Sequence, residues 1–227
     1  MLRVASGLKR DHQGAVSLLA LLGDLMVRVL CLLLAMMLSS TCSALEIRRV
    51  TACSGVVLRL RGDIKEGDYA RFKSQFRKKD AVIGLDLSSA GGDFEEGMQI
   101  ASLAHEKKLS VYVAEECNSV CAFIFFAATK RYLAQDSRIG VHSISNGREI
   151  EDLSSMRLTL KLARLSAKLG VPKSAIGKLV TTRPSNITYL DAADLSGLDT
   201  SVGNPFHYQR PEKSSRAAEE QQQSCSG

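Results

Sequence analysis

The sequence predicts an α/β domain built on a mainly parallel sheet, and three observations carry that expectation. Between Ala81 and His142, runs of strand length alternate with stretches at helical spacing. The order strand, helix, strand, helix, strand is that of consecutive parallel βαβ units. Three of these strands run into residues with chemical potential: a Gly91-Gly92 pair, Ser119 and His142. In parallel sheets, ligand sites gather at the strands' carboxyl ends. Finally, the 227 residues are 45% hydrophobic and 24% charged, enough for one domain with a sizeable core.

The chain opens with a leader. Val29–Leu38 is a run of ten apolar residues preceded by Arg28 and followed by SSTCSA, in which Cys42 and Ala44 suit a signal-peptidase site. Residues 1–44 are therefore expected to be a signal peptide, directing the chain to the periplasm or outside the cell. A membrane span needs about 20 apolar residues, and Asp24 and Arg28 interrupt any longer run. The alternative is an uncleaved anchor, which is the only contact with a membrane that the sequence offers. A start at Met26 would give a compact signal peptide of ordinary form.

Without the leader, the net charge of +6 falls to +4, with 26 basic and 22 acidic residues. The lysines and arginines are scattered, as on solvated faces, and Trp is absent. These features argue against a nucleic-acid partner. Cys53, Cys117, Cys121 and Cys225 remain, an even number suited to an oxidising compartment, with three pairings open. Cys117 and Cys121 have no second ligand pair to make a metal site.

A first strand follows Ala44, and Val56–Gly62 (VVLRLRG) alternates like a half-buried second one. Tyr69–Lys78 is expected to be a helix with Tyr69, Phe72 and Phe76 inward and its basic residues in solvent. Ala81–Leu87 reads as a buried strand, Ser88–Gly92 as a tight turn and Phe94–Lys107 as a helix carrying a surface histidine, His105. A glycine pair between strand and helix leaves backbone N–H groups open to a phosphate or an oxyanion, although most such pairs only turn the chain. Leu109–Ala114 is the next strand, and Val120–Ala128 is a helix apolar on every side, hence buried. Arg138–His142 is a further strand. An amphipathic helix spans Ser154–Leu169, with Leu158, Leu162, Leu165 and Leu169 in one stripe. Pro172 opens another helix, reaching about Thr182. TRPSNITYLDAADLSGLD then supplies a turn, a short strand and a helix ending at Gly197. The domain is assigned to 45–208. Residues 209–227, rich in Glu, Gln and Ser, are expected to be disordered.

Ser119 at a helix start and His142 at a strand end, 23 positions apart, have the residue types of a nucleophile and its general base. Taken singly, each has a plainer reading: Ser is a favoured helix cap, and a lone His on a strand is usually structural.

Together these residues resemble the proteolytic subunit of the Clp protease and its broader family, on the crotonase-like fold, over roughly 56–199. The likeness is greatest to exported Clp-protease-like proteins. LDLSSAGG stands where the family has a strand ending in Asn-Ser-Pro-Gly-Gly. The resemblance implies repeated ββα units around the sheet, a nucleophile at Ser119, a base at His142, and an oxyanion hole from the N–H groups of Gly91 and Val120. The motif Lys130-Arg131-Tyr132-Leu133 leads up to that histidine, and YLDAADLSGLD matches the family's late strand–helix motif. There are two departures. Ala90 replaces a frequent proline, and TTRPSN offers no carboxylate where the family's triad aspartate lies. Asn186, or Ser185, is then the expected third member, since Asp191 and Asp194 fall on the following helix. In membrane-associated relatives a lysine is the base; Lys161 is that alternative here.

The resemblance thus implies a serine peptidase acting through a Ser-His acyl-enzyme, with no cofactor, on peptide or unfolded-protein substrates, as a homo-oligomer. Export separates it from ATP-driven unfoldases. The competing expectation is a peptide-binding pseudo-protease of the same fold. Acyl-CoA chemistry is disfavoured, because export removes the chain from CoA.

Overall fold

The computed structural model describes residues 45–146, 150–206 and 208. The leader, the Met26 start and the tail from 209 fall outside them. Eight strands form one sheet. β1 (Glu46–Ala52) pairs antiparallel with β2 (Gly55–Arg61). β3 (Val82–Ser89), β4 (Ser110–Asn118) and β5 (Lys130–Leu133) then continue in parallel, and β8 (Thr200–Val202) closes the row. β4 is shared along its length. Ser110–Val113 pair with β5, whereas Glu116–Asn118 pair with β6 (Arg138–Val141). β6 in turn pairs antiparallel with β7 (Thr188–Tyr189). The mainly parallel α/β class follows the sequence reading; β5 and β8 do not, being only four and three residues long.

Among the described residues six α-helices accompany the sheet: α1 (Asp68–Ser74), α2 (Phe94–Glu106), α3 (Val120–Phe126), α4 (Leu153–Lys168), α5 (Lys173–Thr181) and α6 (Ala192–Ser196). The expected helix 69–78 stops at Ser74 and tightens into a 3-10 turn, Gln75–Arg77, with Phe76 edge-on to Phe72. The main core lies between the helices and one sheet face. Leu58, Leu60, Leu85, Leu87, Val111 and Val113 point into it and meet Ile100, Ala101 and Ala104 of α2 and the wholly buried α3. Alternation along the strands sends Val57, Arg59, Gly84, Asp86 and Tyr112 to the opposite face, where Phe206 and Tyr208 pack. Gly84 makes room for Phe206, whose ring would lie 2.3 Å from an added Cβ.

That face corrects one expectation. Arg59 is no solvated residue. It is 7% exposed, its Nε bonds Asp86 at 2.8 Å, and its guanidinium stands 5.1 Å from the Tyr208 ring. Tyr208 donates to the same carboxylate, and burial with Asp86 beside it pushes its phenol pKa well up. Arg131 is likewise drawn inward, donating to the carbonyls of Phe126, at the end of α3, and Leu198. Asp191 and Asp194 are the cap and first-turn residues of α6, and both accept from Lys178 of α5. Lys178 holds the Asp191 carboxyl below its ordinary range. At Asp194 burial opposes ionisation, but the bonds from Lys178 and Ser174 prevail and lower it as well.

Candidate active site

Strand register gathers the site. Ser89 of β3 lies opposite Cys117 of β4, and Cys117 lies opposite Ile139 of β6. Two residues further along each chain come Gly91, Ser119 and Val141, side by side at the carboxyl ends, with His142 next. The Ser119 N–H donates to Gly140 O at 2.9 Å, fastening the serine to the histidine-bearing strand. Ser119, Val120 and His142 line one small pocket of about 20 Å3, walled by Phe94, Phe123 and Leu162 among others.

Ser119 occupies the cap position of α3 without acting as a cap. Its hydroxyl makes no capping bond, and its backbone is at φ 57°, ψ −126°. For a non-glycine residue such a conformation costs on the order of 1–3 kcal/mol. The turn is pinned from both sides. A disulfide joins Cys117 before the serine to Cys121 after it, with Cα atoms 5.2 Å apart. This settles one of the open pairings; Cys53 is also disulfide-bonded.

Gly91 is pressed against the serine. A Cβ there would lie 2.7 Å from Ser119 Cβ and 3.3 Å from its Oγ, and the residue has φ +104°. Its N–H donates to Ser89 Oγ at 3.1 Å. Val120 and Cys121 begin α3, where backbone N–H groups lack intrahelical partners. Gly92 is held by Ile64, which bonds Gly91 O at 2.7 Å and accepts from the Asp93 N–H at 2.8 Å. Close packing of α2 on α3 rests on Gly97, where a Cβ would meet Val120 at 2.3 Å.

His142 is partly exposed. Its Nδ1 lies 2.7 Å from Ser143 O, and because a carbonyl only accepts, Nδ1 is the protonated nitrogen. In the tautomer this bond selects, Nε2 carries the lone pair. Among the described residues no hydrogen bond within 3.5 Å joins His142 to Ser119 Oγ, and none joins it to a carboxylate. Asn186 is not brought to the ring. It is exposed in the loop before β7, with its N–H on Arg183 O at 2.9 Å and its side chain accepting from Ser185 at 3.5 Å. Lys161 lies on the exposed side of α4, while Leu162 beside it faces the pocket. His105 is exposed, with Nδ1 2.9 Å from Ala127 O. Ser89 and the Ser143 carbonyl escaped the sequence reading. One is a common hydroxyl, and the other is backbone with no residue-type signature.

A second cluster braces the end of β4. Glu116 accepts from Asn118 Nδ2 at 3.1 Å and from Tyr189 at 3.4 Å, and pairs with Arg138, whose guanidinium sits 4.4 Å above the Tyr189 ring. It ties β4, β6 and β7 together immediately behind Ser119.

No family model matches the sequence, and no curated protein matches it. Among solved structures, a mutant of ClpP1 from Listeria monocytogenes matches with a TM-score of 0.52 and 18% identity, over 66% of this chain and 92% of that one. The fold is thus Clp-protease-like, of the crotonase-like class. At this level of identity the likeness concerns the backbone alone.

Proposed function

We propose that this chain is an exported serine peptidase of Clp-protease-like type, hydrolysing peptide bonds through an acyl-enzyme on Ser119, without ATP. The observation that carries the reading is the Ser119 turn. A serine hydroxyl is held at positive φ on a strand–helix junction, free of any capping bond, against a glycine backbone and in one pocket with His142. Strain of this kind persists where the surroundings enforce it, and it clusters at catalytic sites.

In the proposed reaction His142 Nε2 takes the Ser119 proton as Oγ attacks the peptide carbonyl. The oxyanion receives the N–H groups of Gly91 and Val120, displacing the Ser89 hydroxyl from the former. The imidazolium then protonates the leaving amine. Water attacks the ester, with His142 again as base, and Ser119 is released. The substrate is a peptide or unfolded chain, held in extended form by backbone bonds as an added strand. Export is supported by the leader expected at 1–44 and by a disulfide built around the nucleophile, which suits an oxidising compartment. A homo-oligomer is supported by an apolar stripe on α4 and the residues before it. Ile150, Leu153, Met156 and Leu160 are each more than half exposed.

One observation favours a second reading, a peptide-binding pseudo-protease: among the described residues His142 has no carboxylate partner and no direct bond to Ser119. A fluorophosphonate probe separates the two. Wild type is expected to label, Ser119→Ala not at all, and His142→Ala at least about 100-fold more slowly. A folded wild type that fails to label would sink the peptidase reading and leave peptide binding.

A further inference from the structure

We propose that the peptide plane between Ser143 and Ile144, held by Thr159, takes the place of the triad carboxylate, making Thr159 a positioning residue for His142. This inference rests on the peptidase reading above. The plane is bonded at both ends. Its carbonyl, Ser143 O, accepts from His142 Nδ1 at 2.7 Å, and its N–H, on Ile144, donates to Thr159 Oγ1 at 2.9 Å. Thr159 is 5% exposed, on the buried side of α4, and its own hydroxyl proton goes to Ser155 O at 3.0 Å. With that proton committed, Oγ1 can only accept from Ile144. The chain Nδ1–H···O=C–N–H···Oγ1–H···O=C therefore runs in one sense, and each bond polarises the next.

Residue 143 is fixed independently of the plane. The Ser143 N–H donates to Thr182 O at 2.9 Å, at the end of α5, and the buried Ser143 hydroxyl donates to Glu151. The carbonyl thus stands as a rigid acceptor. A fixed acceptor at Nδ1 is what a triad requires first: it selects the tautomer with Nε2 bare and holds the ring's orientation. A neutral carbonyl stabilises the imidazolium less than a carboxylate does, so the serine should react more slowly than in a triad with aspartate. Asn186, exposed and engaged with Ser185, has no part in this arrangement.

Thr159→Val removes the acceptor for Ile144 N–H at nearly constant volume, while Thr159→Ser keeps it. The test uses full-length protein with 15N-labelled histidine, His142 being identified by its loss in His142→Gln. Wild type is expected to show His142 protonated at Nδ1 in its neutral form. Thr159→Val should give a mixture of tautomers and fluorophosphonate labelling slowed more than about tenfold. Thr159→Ser should restore the wild-type tautomer and a rate within about twofold of wild type. A wild-type His142 protonated at Nε2 overturns the proposal, whether or not the valine variant folds. So does a folded valine variant with unchanged tautomer and labelling rate. If the tautomer responds as expected but no variant labels, the positioning stands and the peptidase reading falls.

Discussion

Gly91 shows how little room surrounds the serine. Any side chain there meets Ser119 Cβ at 2.7 Å and Asn118 O at 2.8 Å, and φ +104° is strained for an L residue. The clash is with backbone and with the Cβ of Ser119, so no flexible group can move aside. Gly91→Ala is expected to push Ser119 out of line and to displace the N–H proposed as an oxyanion donor, lowering the labelling rate at least about 100-fold. The strain should cost on the order of 1–3 kcal/mol, visible as a lowered midpoint in thermal unfolding. Wild-type labelling by Gly91→Ala would remove that glycine from the site. At this scale the convergence of Gly91, Ser119 and His142 was legible in the sequence, because each lies just past a strand end and register aligns such positions. The hydrogen-bond partner of the His142 ring was not legible. Asn186, the side chain expected beside His142, is not among its hydrogen-bond partners, and the partner that is there, Ser143 O, is backbone with no residue-type signature.

The β4–α3 junction is the element that matters most, and it is held by covalent as well as hydrogen bonds. Cys117 and Cys121 are buried and bridged across the turn, with Ser119 midway between them. Closing so short a loop restricts the unfolded chain modestly, by about 2 kcal/mol on chain-entropy grounds. The local effect should be larger, since the bridge joins the last strand residues to the first helical turn that carries the Val120 N–H. Cys117→Ala/Cys121→Ala is therefore expected to unfold about 2 kcal/mol more easily in urea while labelling more than about tenfold more slowly. Equal labelling by the double variant would show that strand and helix packing hold the turn unaided. The pairing itself could not be read from the sequence, because all three combinations of four cysteines have plausible spacing. The long strands and helices were legible from their periodicity. β5 and β8 were missed because strands this short show too little alternation, and β5 begins with two basic residues. Arg59 was misread for a related reason: alternation marks which face a residue takes, not whether something covers that face. Phe206 and Tyr208, about 150 residues away in the chain, cover it.

For the whole molecule, the unresolved balance is between a well-filled interior and an apolar surface. Among the described residues the two cores leave few large apolar side chains outside, and four of those that remain fall together, at Ile150, Leu153, Met156 and Leu160. Leu153, Met156 and Leu160, spaced three and four residues apart, fall on one side of α4, and Ile150 lies just before the helix. The opposite side of α4 is committed to the fold through Thr159 and Leu162, so the helix cannot turn to bury the stripe. A second copy is the occupant proposed for it, since two such helices can pack by the same face around a two-fold axis. Leu153→Lys/Leu160→Lys would then introduce like charges into the contact while leaving the interior untouched. Wild type is expected to sediment as an oligomer at micromolar concentration and the double variant as a monomer with unchanged thermal stability of the domain. A monomeric wild type, or an oligomer indifferent to both lysines, would rule this face out. The same experiment bears on chemistry. α4 carries Thr159, so an assembly contact along α4 stiffens the helix that positions His142, and labelling measured across the monomer–oligomer transition should fall with dissociation.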